Sequence, residues 1–241
     1  MNRFRDIIIS LSILLLFSPL LLIVCVIVWT KDWHTPFYIA DRVGKKGKLF
    51  SMVKLRSMIV NADSTGVDST GKNDDRITPI GHFIRRYKLD EITQMWNVLI
   101  GDMSLVGPRP NVRRETDLYS DQEIELLSVK PGVTDFSSII FSDEAEILAD
   151  YENPDLAYNQ LIRPWKSRLG ILYVRNMSFF ADIKLIFLTA ITIIDRPKGI
   201  KYTVKLLKDI DCPDELLEIC KRDKDLYPYP PPGFSEIVSQ R

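Results

Sequence analysis

The chain has 241 residues, 46% of them hydrophobic, which suffices for one core with peripheral elements and is too little for two large domains. Its 32 basic residues balance its 32 acidic ones, which removes the cationic excess expected of a protein that grips nucleic acid through many phosphates. Nucleic acid is therefore not an expected partner, and any anion site has to be local. The three cysteines show no metal or disulfide spacing, and the two histidines are too isolated to suggest a histidine metal centre. Reduced thiols suit a cytosolic face.

From Ile7 to Val28 the chain reads IIISLSILLLFSPLLLIVCVIV without a charge, which as a helix is roughly 33 Å long and enough to span a bilayer. The WTKDWHTPF that follows offers no small-residue cleavage site, so a secretory signal is a poor reading. Ser18 and Pro19 fall near the middle of the run. Pro19 cannot donate to the Leu15 carbonyl and its ring crowds that carbonyl, so a kink or break is expected, with the Ser18 hydroxyl at hand for the freed group. Arg3 and Arg5 precede the segment, and Lys31, Arg42, Lys45, Lys46 and Lys48 follow it, so both ends read as cytoplasmic. A segment that enters, bends at Ser18-Pro19 and leaves on the same side satisfies both features; a kinked spanning helix is the alternative.

FYIADRVG and KLFSMVKLRSM flank a glycine-bounded turn, GKKG, and alternate apolar with polar residues, which predicts a β-hairpin. Lys54 and Arg56 fall two apart and so face one side of a strand, where a solvated basic face is the bland reading. Residues 61–75, NADSTGVDSTGKNDD, have the composition of an exposed loop. Helical spacing of Ile92, Met95, Trp96 and Leu99 predicts a helix from Thr78 to Ile100, stopped by Gly101, with Met95 and Trp96 as packing residues. Asp90, Gln94 and Asn97 form a polar stripe beside that apolar face; Asp90 is either a chemical group or a first-turn carboxylate favoured by the helix dipole. GDMSLVGPRP is a loop that fixes Arg109 between two prolines, and a guanidinium suits a phosphate because its planar fork donates two parallel hydrogen bonds.

Further helices are predicted over Val112–Leu127 and Pro154–Arg175. Ala181–Ile194 is apolar but too short to span, so it belongs either in the membrane interface or in the core, with Ser178 as its cap. YPYPPPG at 227–233 reads as a stiff extended surface segment.

These pieces resemble the monotopic phosphoglycosyl transferases, also called bacterial sugar transferases. The resemblance is carried by the Ser18-Pro19 break, RVGKKGKLFSMVKLRSM, DDRITPIGHFIRRYKLDEITQMWNVLIGDMSLVGPRP, KPGVT and NMSFFADIKLIFLT. It implies an α+β, mainly helical, membrane-associated domain. Residues 1–32 would form a re-entrant helix broken at Ser18-Pro19, 33–200 a catalytic domain with interfacial helices on the cytoplasmic face of the bacterial inner membrane, and 201–241 a C-terminal extension. The reaction implied is transfer of a phosphosugar from a UDP-sugar to polyprenyl phosphate, with release of UMP. Asp90 of the LDE motif matches the nucleophile and a ligand of Mg²⁺, and Glu91 matches its catalytic neighbour. Arg85 and Arg109 match the arginines near the nucleotide phosphates, and Lys54 and Arg56 are further candidates for binding substrate. The bilayer is the remaining expected partner, and a homo-oligomer is compatible with this set.

The chain departs from the family pattern in two places. After Pro131 it reads PGVTDFSSIIFSDEAEIL, without an arginine expected there, and Thr93 replaces a proline that often follows the LDE motif. The altered segment motivates one alternative, a non-catalytic membrane-attached scaffold of the same fold. A metal-dependent phosphatase with an aspartate nucleophile is a third reading, but it leaves the anchor unexplained.

Overall fold

An uncharged run in the absence of water has to satisfy its own backbone, and α1 (Arg3–Asp32) does so as one long helix in the computed structural model. The structure describes residues 3–66, 71 and 74–240. By length and composition α1 could cross a membrane, and only 11% of its most apolar stretch is buried against the rest of the chain. The helix runs on through Pro19. Ser18 Oγ donates to the Leu15 carbonyl at 2.8 Å, so the carbonyl that Pro19 cannot serve has a partner.

β1 (Phe37–Val43) and β2 (Leu49–Leu55) form the expected antiparallel hairpin, with Phe37 opposite Leu55 and Val43 opposite Leu49. Of the predicted 61–75 loop, Ala62–Thr65 makes a 3₁₀ turn, while residues 67–70 and 72–73 lie outside the described residues. The single helix expected from Thr78 to Ile100 is three: α2 (Pro79–Arg86), α3 (Leu89–Ile92) and α4 (Met95–Ile100). Lys88, at φ 55, causes the first break, because a left-handed residue cannot continue a right-handed helix. The ends are as the sequence suggests: Thr78 accepts from the Gly81 N–H at 3.0 Å, and Gly101 closes α4 at φ 103. Met95 is buried as expected, but Trp96 is half exposed.

β3 (Ser104–Val106) pairs in parallel with β4 (Gly132–Thr134). The helix expected over Val112–Leu127 is reduced to α5 (Arg113–Thr116) and a later 3₁₀ turn, Glu123–Ser128. The interruption is a capping box: the Glu123 N–H donates to Ser120 Oγ at 3.1 Å and the Ser120 N–H to Glu123 Oε2 at 3.2 Å, which starts a new helical turn. Then come α6 (Phe136–Ile140), α7 (Glu144–Ile147), α8 (Pro154–Ala157) and α9 (Arg163–Arg175). The helical path predicted from Pro154 to Arg175 is present with a π-turn at Tyr158–Ile162, just ahead of Pro164, whose missing N–H the wider turn accommodates. α10 (Phe179–Ile194), α11 (Arg196–Lys208) and α12 (Asp214–Lys221) complete the helices.

One core gathers Phe136, Ile140, Trp165, Leu169 and Leu185 with Leu207, Leu216 and Cys220 from beyond residue 200. α10 takes part in both environments considered for it: Leu185 and Leu188 enter the core, while Phe180, Phe187 and Ile194 are exposed. The proline-rich tail is a docked strap, with the Tyr229 ring 4.4 Å from that of Trp165 and the Pro230 carbonyl accepting from Arg168 at 3.0 Å. A second, smaller cluster joins Val24 and Val28 of α1 to Leu55, Ile84 and Leu89. It seats the short helix that carries Asp90 directly on the C-terminal half of α1.

Candidate active site

Three interactions fix α4 and the end of α3 against the hairpin. Asn97 Nδ2 donates to the Ser51 carbonyl at 2.8 Å, and its Oδ1 accepts from the Val53 N–H at 2.9 Å. Asn97 of the polar stripe is therefore buried scaffolding rather than a chemical face, while Gln94 Nε2 is buried without a hydrogen-bond partner. Thr93, where the family pattern has proline, places its hydroxyl 2.9 Å from the Asp90 carbonyl and 3.3 Å from that of Val53. Lys54, the next residue on β2, is thereby held beside α3.

The Arg109 loop is set by a close backbone crossing. The Gly107 N–H donates to the Thr134 carbonyl at 3.0 Å, and the Gly132 N–H to that of Pro108 at 3.0 Å. A Cβ at Gly132 would stand 2.1 Å from the Gly107 nitrogen, so only glycine allows GPRP and KPG to meet. Arg109 leaves this clamp to donate from Nη2 to Glu91 Oε1 at 3.0 Å.

The outcome is one electrostatic unit of Lys54, Asp90, Glu91 and Arg109. Burial would push Glu91 up, but Arg109, Lys88 and Lys54 outweigh it and hold Glu91 at about 2. Asp90 goes the other way: burial raises it, Glu91 adds to the rise, and Lys54 opposes. Burial lowers Lys54 to about 8, with Arg109 adding and Asp90 and Glu91 opposing. Asp90 Oδ1 is buried without a hydrogen-bond partner, which is costly unless a ligand completes it.

Arg85 donates from Nε to Ser57 Oγ at 3.1 Å, and its charge feels Asp90 and Asp74. Arg56 is placed elsewhere. It donates to the Thr35 carbonyl at 2.9 Å and to Asp32 Oδ1 at 2.7 Å, tying the end of α1 to the end of β2. Ser18 and Pro19 lie within α1. Among the described residues no group of three or more His, Cys, Asp or Glu converges as a metal cage. Mg²⁺ commonly takes only one or two carboxylates and completes its shell from substrate phosphates and water, so Asp90, with its unpartnered oxygen, fits as such a ligand.

The family profile described as bacterial sugar transferase matches residues 1–196. The chain belongs to the bacterial sugar transferase family. It is 35% identical over 211 residues to the undecaprenyl-phosphate galactose phosphotransferase of Salmonella typhimurium, covering 81% of this chain and 41% of that protein. The UDP-galactose-lipid carrier transferase of Erwinia amylovora is 33% identical over the same length, with the same coverage of each chain. The chain thus spans about two fifths of these curated relatives. The exopolysaccharide production protein ExoY of Rhizobium meliloti is 31% identical over 203 residues, covering 78% of this chain and 83% of that protein.

The fold brings further residues to the site that sequence reasoning passed over. Lys88 Nζ lies 4.0 Å from Glu91 Oε1. Glu144 and Lys166 form an ion pair, and the Glu144 charge acts on Arg109. The signal for Glu144 was its place in the altered segment after Pro131; Lys166 carried no signal, since a lysine on an amphipathic helix is ordinarily solvated.

Proposed function

We propose that the chain transfers a phosphosugar from a UDP-sugar to polyprenyl phosphate in two displacements through Asp90. The observation that carries this reading is the unpartnered Asp90 oxygen, set among Lys54, Arg85 and Arg109 on a helix seated on α1. An Asp90 oxygen attacks the phosphorus that bears the sugar, the bond to the bridging oxygen breaks, and UMP leaves with that electron pair. An oxygen of polyprenyl phosphate then attacks the same phosphorus, and the bond to Asp90 breaks to restore the carboxylate. Lys54, Arg85 and Arg109 offset the negative charge on the pyrophosphate, and bound Mg²⁺, held by Asp90, would supply further charge stabilisation there. Glu91 either positions or deprotonates the incoming acceptor phosphate, and its ion pair with Arg109 supports positioning: a carboxyl held at about 2 is a poor base. A non-catalytic scaffold is the poorer reading, because it leaves this arrangement without a purpose.

The lipid tail has to stay in the bilayer while its phosphate reaches Asp90, so α1 and the exposed apolar side chains of α10 are assigned to the membrane. Both ends of α1 are tied to one domain. Arg3 donates to the Val98 and Leu99 carbonyls, and Arg5 to Asp182 Oδ2 at 2.7 Å; at the other end Asp32 holds Arg56. A spanning helix would carry those ends to opposite faces, so this supports the re-entrant topology, and the basic residues on both flanks put the catalytic domain on the cytoplasmic face.

A panel of UDP-sugars tests the reaction by UMP release. Continued turnover that depends on added polyprenyl phosphate is expected for one or a few sugars. Turnover without acceptor would indicate hydrolysis, and silence across a broad panel would indicate a scaffold.

A further inference from the structure

A groove of about 390 Å³ lies between α11 and the end of α12, and none of its side chains serves the transfer described above. Arg196, Lys201, Lys221 and Arg222 line it with one carboxylate, Asp223, and Ile200 and Val204 give it an apolar side. Asp143 Oδ2 lies 2.7 Å from Arg196 Nη2 and 3.0 Å from Arg222 Nη2, so a single carboxylate faces two guanidinium groups and cannot neutralise both. Lys221 pairs with Glu218, while Lys201 is exposed.

Arg222 is the unusual member. It closes α12 at φ 55, a left-handed conformation whose ordinary occupant is glycine or asparagine. That turn lets Nη2 donate to Asp143 Oδ2 and sets the guanidinium 5.5 Å from the centre of the Phe141 ring. Its Nε and Nη1 are buried and have no hydrogen-bond partner. A guanidinium never sheds its charge, so leaving these donors unpaired is costly unless an acceptor reaches them from the groove.

We propose that this groove is a second anion site, separate from Asp90, which takes a phosphate group on Arg222, Arg196 and Lys201. A guanidinium fork matches phosphate oxygens in pairs, and the lysine adds a point charge. A lipid headgroup and free phosphate offer the same chemistry; the position of the groove favours the headgroup. α10, whose exposed apolar side chains are assigned to the membrane, ends at Ile194, which is 88% exposed, and Arg196 follows directly as the head of α11. The groove thus begins where α10 leaves the membrane, and Ile200 and Val204 suit the glycerol and first acyl carbons of an anionic phospholipid.

The test is the thermal transition of the full chain in nonionic detergent, titrated separately with short-chain phosphatidylglycerol, short-chain phosphatidylcholine and inorganic phosphate. Phosphatidylglycerol at about five times its dissociation constant should raise the transition by roughly 2–4 °C. Phosphatidylcholine, whose choline cancels the charge, should not. Lys201→Gln and Arg222→Gln should each raise the lipid concentration needed roughly 10-fold, and Arg222→Lys should recover part of the loss. Lys201 is exposed, so its replacement keeps the fold even where that of Arg222 does not. Arg109→Gln, which weakens the site at Asp90, should leave the rise intact. An equal rise with inorganic phosphate, lost in Lys201→Gln, supports the site and assigns it to a soluble phosphate. No rise with either anion overturns the proposal, as does a rise that phosphatidylcholine matches, that Lys201→Gln leaves unchanged or that Arg109→Gln abolishes. Binding is read here without turnover, so failure of the transfer reading and failure of this site are separate results.

Discussion

Asp90 and Glu91 are adjacent carboxylates that the fold drives apart. Glu91 is paired with Arg109 at 3.0 Å, whereas burial raises Asp90 and leaves one of its oxygens without a partner. Asp90→Asn keeps the shape but removes the nucleophile, so turnover measured by UMP release should fall on the order of 10⁴-fold or more. Arg109→Lys keeps the charge and loses the planar fork, so kcat/KM should fall roughly 10- to 100-fold while the protein stays in the membrane fraction. Wild-type kinetics in that variant would return Arg109 to a surface charge. The two shifted groups also set the pH profile of kcat/KM. On the proposed route Asp90 has to be ionised to attack, so activity should rise with pH through its raised value; Lys54 loses its charge above about 8, so activity should then fall. Lys54→Arg keeps the charge at higher pH and should move the falling limb upward. An unmoved limb would show that another group sets it.

At the scale of elements, the hairpin, the helix start near Thr78 and the stop at Gly101 were legible because each depends on a local residue preference. The break at Lys88 was not, because nothing in a lysine announces a left-handed backbone; the seating of α3 on α1 and β2 holds it there. Arg56 looked like a partner of Lys54 by spacing alone, but it sits just past the strand end, where Asp32 and the Thr35 carbonyl take it. The acidic partner lay 24 residues earlier, beyond any local pattern. For α1 the test is topological. Single cysteines at Thr30 and at Asn2, the latter outside the described residues, are placed in a Cys25-free background. Both should resist an impermeant thiol reagent in intact cells. Labelling at position 2 alone would establish a spanning helix.

The whole molecule is organised so that one core reaches from the sheet pairs to the last helix. Leu207 is fully buried in that core although it lies past the span of the family profile. Leu207→Ala should therefore cost about 2–5 kcal/mol and lower a single thermal transition of the detergent-solubilised chain; two separate transitions would show that the C-terminal helices fold apart. The pairing of the LDE and GPRP motifs was open to sequence reading because each is compact in sequence. The cluster of Glu144, Tyr158 and Lys166 was not, since these residues are far apart in sequence and meet only in the fold. The claim on which the rest depends is that Asp90 carries the phosphosugar. Protein, Mg²⁺ and the active UDP-sugar are mixed without polyprenyl phosphate, quenched, and mapped by intact-protein and peptide mass spectrometry. One phosphosugar on the peptide containing Asp90, absent from Asp90→Asn, is the expected result; an adduct on another residue, or the same adduct in Asp90→Asn, would contradict the account.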